Sequence, residues 1–271
     1  MSSSDANWVQ MPFQSPGDNH LEMPSAPSLC KANFSVVRIP KGKNGYRLIY
    51  CPDPFAKEYL RQFIPGLEAV YQQQDQAKVN HGCVAGRSAI TNAFEHIGRR
   101  FLLSLDLTDF FQSVNSKMLK GLVDDRILED CLVDGAPQQG LPTSPLIANI
   151  AFLPIDKMIV DQLKRLSMDV TYTRYVDDLT FSFDIPGQEG KILSIVRPLI
   201  RNAGLKLNER KTKLQDSRNG RLIITGIGVD RWGLHPTRKS RRKLRAALHQ
   251  GKISSARGLR EWCLCKLPKG M

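Results

Sequence analysis

The sequence predicts an α+β fold centred on an antiparallel, ferredoxin-like sheet, and three observations lead there. A short apolar run ending in an acid, FLLSLDL (101–107), precedes a helical pattern through about residue 165, and the β-rich stretch VTYTRYVDDLTFSFD (170–184) follows it. A second helical pattern (188–203) and a strand pattern (221–230) come next, so the middle of the chain reads β-α-β-β with further strands behind it. The third observation is a segregation of charge. The 271 residues carry 39 Lys and Arg against 26 Asp and Glu, a net of +13. Residues 231–271 alone hold twelve bases and one acid, a net of +11, which leaves 27 and 25 in the rest of the chain. A near-neutral body with a cationic C-terminal end points to a polyanionic partner, because Lys and Arg that neutralise phosphates release condensed counterions. A solubilising tail is the plainer alternative.

In chain order, residues 1–29 are rich in Ser, Pro, Asn and Asp without sustained periodicity, and read as a flexible arm. FSVVRIP (34–40) and YRLIYCP (46–52) flank the turn signal KGKNG (41–45), which predicts a basic β-hairpin. Helical patterns cover about 54–75, then a Gly-punctuated loop HGCVAGRSA (81–89), then about 88–98. The run at 101–107 is apolar on both parities, as in a strand buried on both faces. Residues 116–133 read as helical, and PQQGLPTSP (137–145) as a loop feeding the helix that ends near 165. Successive strand residues face opposite sides, so the two adjacent acids within 170–184 can address one site only at a tight hairpin turn. The last helix starts at a Thr237 N-cap and stops at Gly251.

Composition removes several classes. With 41% hydrophobic and 7% aromatic residues there is ample material for a core. No stretch approaches the ~20 apolar residues that cross a bilayer, so no membrane partner is expected. The N-terminus lacks the basic and apolar segments of a secretory signal. The six cysteines (30, 51, 83, 131, 263 and 265) are scattered, and C-x-C at 263–265 without a second pair is poor zinc spacing. They read as reduced thiols of a cytoplasmic protein.

Asp106, Asp177 and Asp178 carry the chemistry. Adjacent aspartates inside an apolar β segment are costly, since like charges repel and burial disfavours ionisation. YVDDLTF places Asp177 and Asp178 at a turn between apolar arms, and Asp106 converges with them if the strands are neighbours. Three clustered carboxylates call for hard cations, Mg²⁺ above all with Mn²⁺ as a substitute. Two such ions activate a hydroxyl and stabilise a leaving pyrophosphate. An acidic surface turn with Asp106 capping a helix is the alternative reading of the same residues.

At this point the chain resembles the reverse transcriptases, over about residues 34–250. LSLDLTDFF (103–111) is similar to the family's motif A, QGLPTSP (139–145) to motif B, and YVDD (175–178) to motif C. GLKLNERKTKL (204–214) resembles the next motif, whose lysine lies near the leaving pyrophosphate, and IPKGKNGYRLI (39–49) the hairpin that grips a triphosphate. Within the family, HGCVAGRSAITNAFEH (81–96), with Asn92, Ala93 and His96, and IITGIGVD (223–230) resemble the bacterial retron-type enzymes. Two features depart from that type: a short C-terminal segment, and Val176 where Ala is more frequent. The resemblance implies a right-hand polymerase: fingers at 30–100, palm at 101–230 and a short basic helical thumb at 231–271, behind the 1–29 arm.

It also implies roles. Asp106, Asp177 and Asp178 would hold the metal ions, and Lys211 would be the general acid toward pyrophosphate, although it could equally be one more surface lysine. Lys41, Lys43 and Arg47 suit triphosphate oxygens, against the alternative of a solvated basic turn. Phe111 stands where the family places an aromatic floor under the nucleotide sugar, which implies dNTP substrates; by residue type alone it or Phe110 is core. Gln139 and Gly140 open a loop whose backbone approaches a base pair. Asn92 and His96 are assigned to RNA, with a satisfied core histidine as the rival reading of His96. Arg238, Arg241, Arg242 and Arg245, with Leu244 and Leu248 four apart, give a helix with an apolar stripe for docking and a basic flank for an A-form duplex. Trp232 and Trp262 are candidates for base stacking or for packing under that helix.

The expected activity is RNA-directed DNA synthesis from a structured non-coding RNA into its DNA product, in a bacterial cytoplasm. Retron resemblance adds antiphage defence and an effector protein as partner. The rivals are another defence-associated reverse transcriptase, protein-primed or template-independent, and a non-catalytic RNA-binding scaffold.

Overall fold

The structure, a computed structural model, describes residues 34–41 and 45–268; Lys43 and the arm expected at 1–29 lie outside the described residues. Strands β1 (Phe34–Pro40) and β2 (Tyr46–Pro52) pair antiparallel from end to end, Phe34 opposite Pro52 and Pro40 opposite Tyr46, as the turn signal predicts. The helical patterns expected at about 54–75 form two helices, α1 (Pro54–Arg61) and α2 (Ile64–Gln74). Asp53 caps the first through Ala56 N–H at 2.7 Å. Pro65 ends the continuity, because its ring lacks a donor and would clash with the carbonyl four residues back. Helix α3 (Ala89–Phe94) opens on a reciprocal Ser88–Thr91 capping box.

The central sheet follows. Strand β3 (Phe101–Asp106) leads into short helices α4 (Phe110–Ser113), α5 (Ser116–Leu119) and α6 (Asp125–Cys131). One helix was expected over 116–133; Asp124 instead starts α6 afresh by accepting from Arg126 N–H at 2.8 Å. Then come α7 (Ser144–Arg165), β4 (Thr171–Tyr175), β5 (Asp178–Phe183), α8 (Gln188–Asn202) and β6 (Lys213–Asp216). The four strands are all antiparallel in the order β4-β5-β3-β6, so β3-α7-β4-β5-α8-β6 is the β-α-β-β-α-β ferredoxin-like unit. The sequence anticipates all of its members except β6.

Both sheet faces are covered. Phe101, Leu103 and Leu105 enter the main core, which α7 and the Ile192–Val196–Ile200 stripe of α8 also fill. Leu102, of opposite parity, enters a second core with Ala93 of α3 and a small three-stranded sheet. That sheet is β7 (Leu222–Ile224), β8 (Ile227–Asp230) and β9 (Gly233–Pro236). The strand expected at 221–230 is therefore a hairpin, reversed at Thr225 and Gly226, which both have positive φ. Helix α9 (Arg238–His249) begins at Thr237, whose hydroxyl accepts from Ser240 N–H at 3.2 Å, as predicted. A further helix, α10 (Ile253–Leu264), packs beside it.

Candidate active site

The site lies where β3 ends and β5 begins. Asp106 and Asp178 are direct cross-strand partners, an arrangement that like charges destabilise. Asp177 sits in the two-residue turn between β4 and β5, and its carbonyl accepts from Leu107 N–H at 3.0 Å, which stitches the turn to the chain leaving β3. The turn is possible because Val176 adopts φ +59°, a left-handed conformation that β-branched residues rarely take. Gly82 presses on it from behind: a Cβ there would stand 2.4 Å from the Val176 nitrogen, so no larger residue fits. A third segment returns beside Asp106. Asn208 N–H donates to the Asp106 carbonyl at 2.7 Å and Thr108 N–H to the Lys206 carbonyl at 2.8 Å. Five residues beyond Lys206, the Lys211 ammonium donates to Asp106 Oδ1 at 2.7 Å.

The electrostatics report a shortage of positive charge. Asp178 is pushed up to about 6, by burial first and then by Asp177 and Asp106. Asp177 is raised by burial too, with Asp106 adding to it and Lys211 and Arg47 opposing. Lys211 is raised by its hydrogen bond to Asp106, so it is firmly cationic. Oxygen donors that are buried at Asp106 and half-buried at Asp177 and Asp178, mutually repelling and relieved by an ammonium, fit a hard divalent cation in chemistry. Among the described residues no three His, Cys, Asp or Glu side chains are gathered as a metal-binding group.

The other predicted residues fall into three groups. Around the site, Arg47 is exposed on β2 and close enough to Asp177 to lower its pKa. The Lys41 ammonium reaches Asp109 at 3.2 Å, bridging the β1–β2 hairpin to the loop after β3. The Gln139 carbonyl accepts from Tyr50 N–H at 2.7 Å, and Gly140, at φ +108°, lies so close that a Cβ would stand 2.2 Å from the Tyr50 carbonyl oxygen. The hairpin is thus fastened to the 137–143 loop by backbone contact. Phe111 is half-buried, its ring 5.7 Å from that of Phe110.

The second group is a correction. Asn92 and His96 are fully buried, and neither offers a surface to RNA in this structure. His96 is sandwiched between α3 and the sheet, with Nδ1 2.7 Å from the Ser182 hydroxyl and Nε2 2.7 Å from that of Thr173. Burial lowers it to about 3, so it is neutral. It is a satisfied core histidine. The third group lies apart from the carboxylates: Arg238, Arg241, Arg242 and Arg245 are all exposed on α9. Trp232 is 78% exposed, whereas Trp262 packs at the edge of the second core.

Sequence reasoning missed the polar network under the turn. Arg174, fully buried, forks onto Asp156 of α7 with Nε at 3.0 Å and Nη2 at 2.8 Å from Oδ2. The Tyr172 hydroxyl donates to the same carboxylate at 2.7 Å. Burial pulls the guanidinium down, but Asp156 more than restores it, and Arg174 stays charged. The signal was available: an acid inside the apolar helix pattern at 144–165 and a base of the same strand parity as Tyr172 each need a partner.

With this geometry in view, the comparisons are direct. The profile of the reverse transcriptase (RNA-dependent DNA polymerase) family matches residues 39–226. The retron Mx65 reverse transcriptase of Myxococcus xanthus is 34% identical over 245 residues, 80% of this chain and 56% of that protein. The retron Mx162 reverse transcriptase of the same organism is 32% identical over 257 residues, covering 79% and 52%. The retron Ec86 reverse transcriptase of Escherichia coli is 30% identical over 188 residues, covering 65% and 58%. The chain thus spans a little over half the length of these relatives. Among solved structures, Candida albicans telomerase with a fragment of telomeric RNA superposes with TM-score 0.54 at 14% identity, covering 75% of this chain and 46% of that one. Apo telomerase from Candida tropicalis gives 0.51 at 15% identity, covering 75% and 55%, a likeness of fold. No helix among the described residues is long and apolar enough to cross a membrane. The right-hand fold, the order of its motifs and the paired aspartates at the end of β3 and the start of β5 agree with the profile: the chain belongs to the reverse transcriptase (RNA-dependent DNA polymerase) family.

Proposed function

We propose that this chain is an RNA-directed DNA polymerase of the retron type, which copies a structured non-coding RNA into DNA from dNTPs. The observation that carries the proposal is the cross-strand pair Asp106–Asp178 with Asp177 beside it in the turn and Lys211 on Asp106. Bound at Asp106, Asp177 and Asp178, two Mg²⁺ ions, or Mn²⁺ in their place, would lower the pKa of a primer hydroxyl and neutralise charge on the leaving pyrophosphate. The protein supplies the rest. Its turn fixes where the carboxylates stand. Lys211, protonated and bonded to Asp106, would give a proton to the pyrophosphate oxygen.

Lys41 and Arg47 project from the β1–β2 hairpin beside the site and serve as triphosphate ligands; Lys43 is assigned with them from the sequence. Phe111 borders the sugar, and the Gln139–Gly140 backbone lines the nascent base pair. Residues 30–100 act as fingers, 101–230 as palm and 231–271 as thumb, with the arginines of α9 on the duplex phosphates. The likeness to retron reverse transcriptases supports the retron type; a dedicated RNA template, a bacterial cytoplasmic setting, and a defence role with an effector protein belong to the same proposal and rest on the sequence resemblance. The test is primer extension on an RNA template by the wild type and by Asp177→Asn/Asp178→Asn, with sequencing of the nucleic acid that co-purifies. Extension lost in the variant, and one abundant RNA joined to DNA, are expected. Equal activity in the two proteins would overturn the mechanism.

A further inference from the structure

Arg174 stands three residues before Asp177 and uses its donors in two directions. Nε and Nη2 are committed to Asp156, while Nη1 donates to the Val176 carbonyl at 3.1 Å and to Asn149 Oδ1 at 3.0 Å. Asn149 in turn donates to the Gly82 carbonyl at 2.9 Å, and Gly82 is the residue pressed against the Val176 nitrogen. The loop of contacts is closed. One side of the strained Val176 peptide is held by the guanidinium, the other by Gly82, and Asn149 ties the two holders together. Backbone bonds fix the same unit: Arg174 N–H donates to the Val79 carbonyl at 2.9 Å, and His81 N–H to the Arg174 carbonyl at 2.7 Å.

A core needs none of this. Well-packed apolar side chains of similar volume replace a buried ion pair without loss, and often with gain, of stability. What apolar groups do not provide is a rigid, five-donor fork that can grip a carboxylate and a turn carbonyl at once. We infer that Arg174, anchored by Asp156 and Asn149, is a positioning residue that holds the left-handed Val176 turn and thereby presets Asp177 and Asp178 as divalent-cation ligands. Arg174 touches neither substrate nor metal in this role. It acts through the turn, as residues behind first ligands do elsewhere.

The inference rests on the polymerase reading for its meaning but has its own readout. The variant Arg174→Met/Asp156→Leu/Tyr172→Phe removes the charges and the hydroxyl together, so no buried charge is stranded; Asn149 Oδ1 and the Val176 carbonyl lose one donor each. Three quantities are measured on the full chain: melting temperature, Mn²⁺ binding by electron paramagnetic resonance, and single-nucleotide extension. The variant is expected to melt close to the wild type and to bind template–primer within about twofold. Its Mn²⁺ midpoint should rise about tenfold, and kcat should fall about a hundredfold with little change in the KM for dNTP. A folded variant with wild-type kcat and Mn²⁺ midpoint would overturn the positioning role. Should the triple variant fail to fold, Arg174→Lys decides. It keeps a charge for Asp156 but loses the fork to Val176, so a folded Arg174→Lys with wild-type Mn²⁺ binding and kcat overturns the inference equally. Absence of extension by the wild type would count against the polymerase reading, and Mn²⁺ binding would still decide this one.

Discussion

The turn that carries Asp177 and Asp178 and the helix that carries Arg238, Arg241, Arg242 and Arg245 are the two charged regions of this molecule, and they are built on opposite terms. At the turn, charge is half-buried, the backbone is strained, and the peptide is gripped from both sides by Gly82 and Arg174. On α9, charge is solvated: Arg238, Arg241, Arg242 and Arg245 are all exposed. A few atoms decide the first region. A count of charges decides the second. Substitutions at the turn should therefore act sharply and individually, and those on α9 gently and in proportion to their number.

The largest effect tests the sharp end. Asp178→Asn should cut primer extension a thousandfold or more, on the order of 4 kcal/mol of barrier, while the metal-free protein melts no lower than the wild type. Steady-state extension and a melting curve on the same preparation check both halves. Next is Arg174→Met alone, which leaves Asp156 buried without its cation and should cost about 3–5 kcal/mol in chemical denaturation. The matching change on α9, Arg242→Met, should stay within about 0.5 kcal/mol. Equal costs at the two positions would erase the contrast. Gly140→Ala sits between them: a Cβ at φ +108° facing the Tyr50 carbonyl should cost about 1–3 kcal/mol and loosen the hairpin from its loop.

The contrast also explains what could be read in advance. The β1–β2 hairpin, α7, α8, the α9 cap and the three aspartates were legible because each has a local cause: a turn signal, an apolar period, a capping residue, an acid where acids are costly. The pairing of Asp106 with Asp178 was legible only as a condition, since strand adjacency is a property of the sheet and not of either segment. Strand β6 was missed because Lys213–Asp216 has half-exposed residues and no alternation, and forms only because β3 offers it an edge. The split of the 116–131 stretch into α5 and α6 turns on Asp124, a local signal outweighed by the apolar period around it. His96 shows the opposite lesson. Its place in a motif pointed outward to RNA, and its environment, Thr173 and Ser182 on the sheet face, turned it inward.

A smaller effect separates the site's own electrostatics from its catalysis. Asp178 is pushed up to about 6 from an ordinary 3.8, so the folded chain holds that proton more tightly than the unfolded one. The stability this provides is complete below about pH 4 and is lost as pH rises through 6. In metal-free buffer the melting temperature of the wild type, taken relative to that of Asp178→Asn, should therefore fall between pH 4 and 7. A difference that stays flat, or rises, would mean that Asp178 is not ionised at a cost.

The smallest single effects belong to α9, and there the sum matters. Each exposed arginine that neutralises a phosphate releases about one counterion, so each Arg→Ala change should reduce the slope of log binding constant against log salt by about one. Affinity at fixed salt should fall by similar modest factors for Arg238, Arg241, Arg242 and Arg245, whatever the sequence of the duplex, because an A-form helix is held by its phosphates and 2′-hydroxyls. Ala247, the residue that α9 buries, is untouched in these variants, so the melting temperature should not move. Filter binding of an RNA–DNA duplex across a salt series measures the slope directly. If removing one arginine abolished binding while the others did nothing, α9 would hold a specific contact like those at the turn. If removing all four left the slope unchanged, the duplex would lie elsewhere, and the C-terminal charge would be the solubilising tail that composition alone allowed.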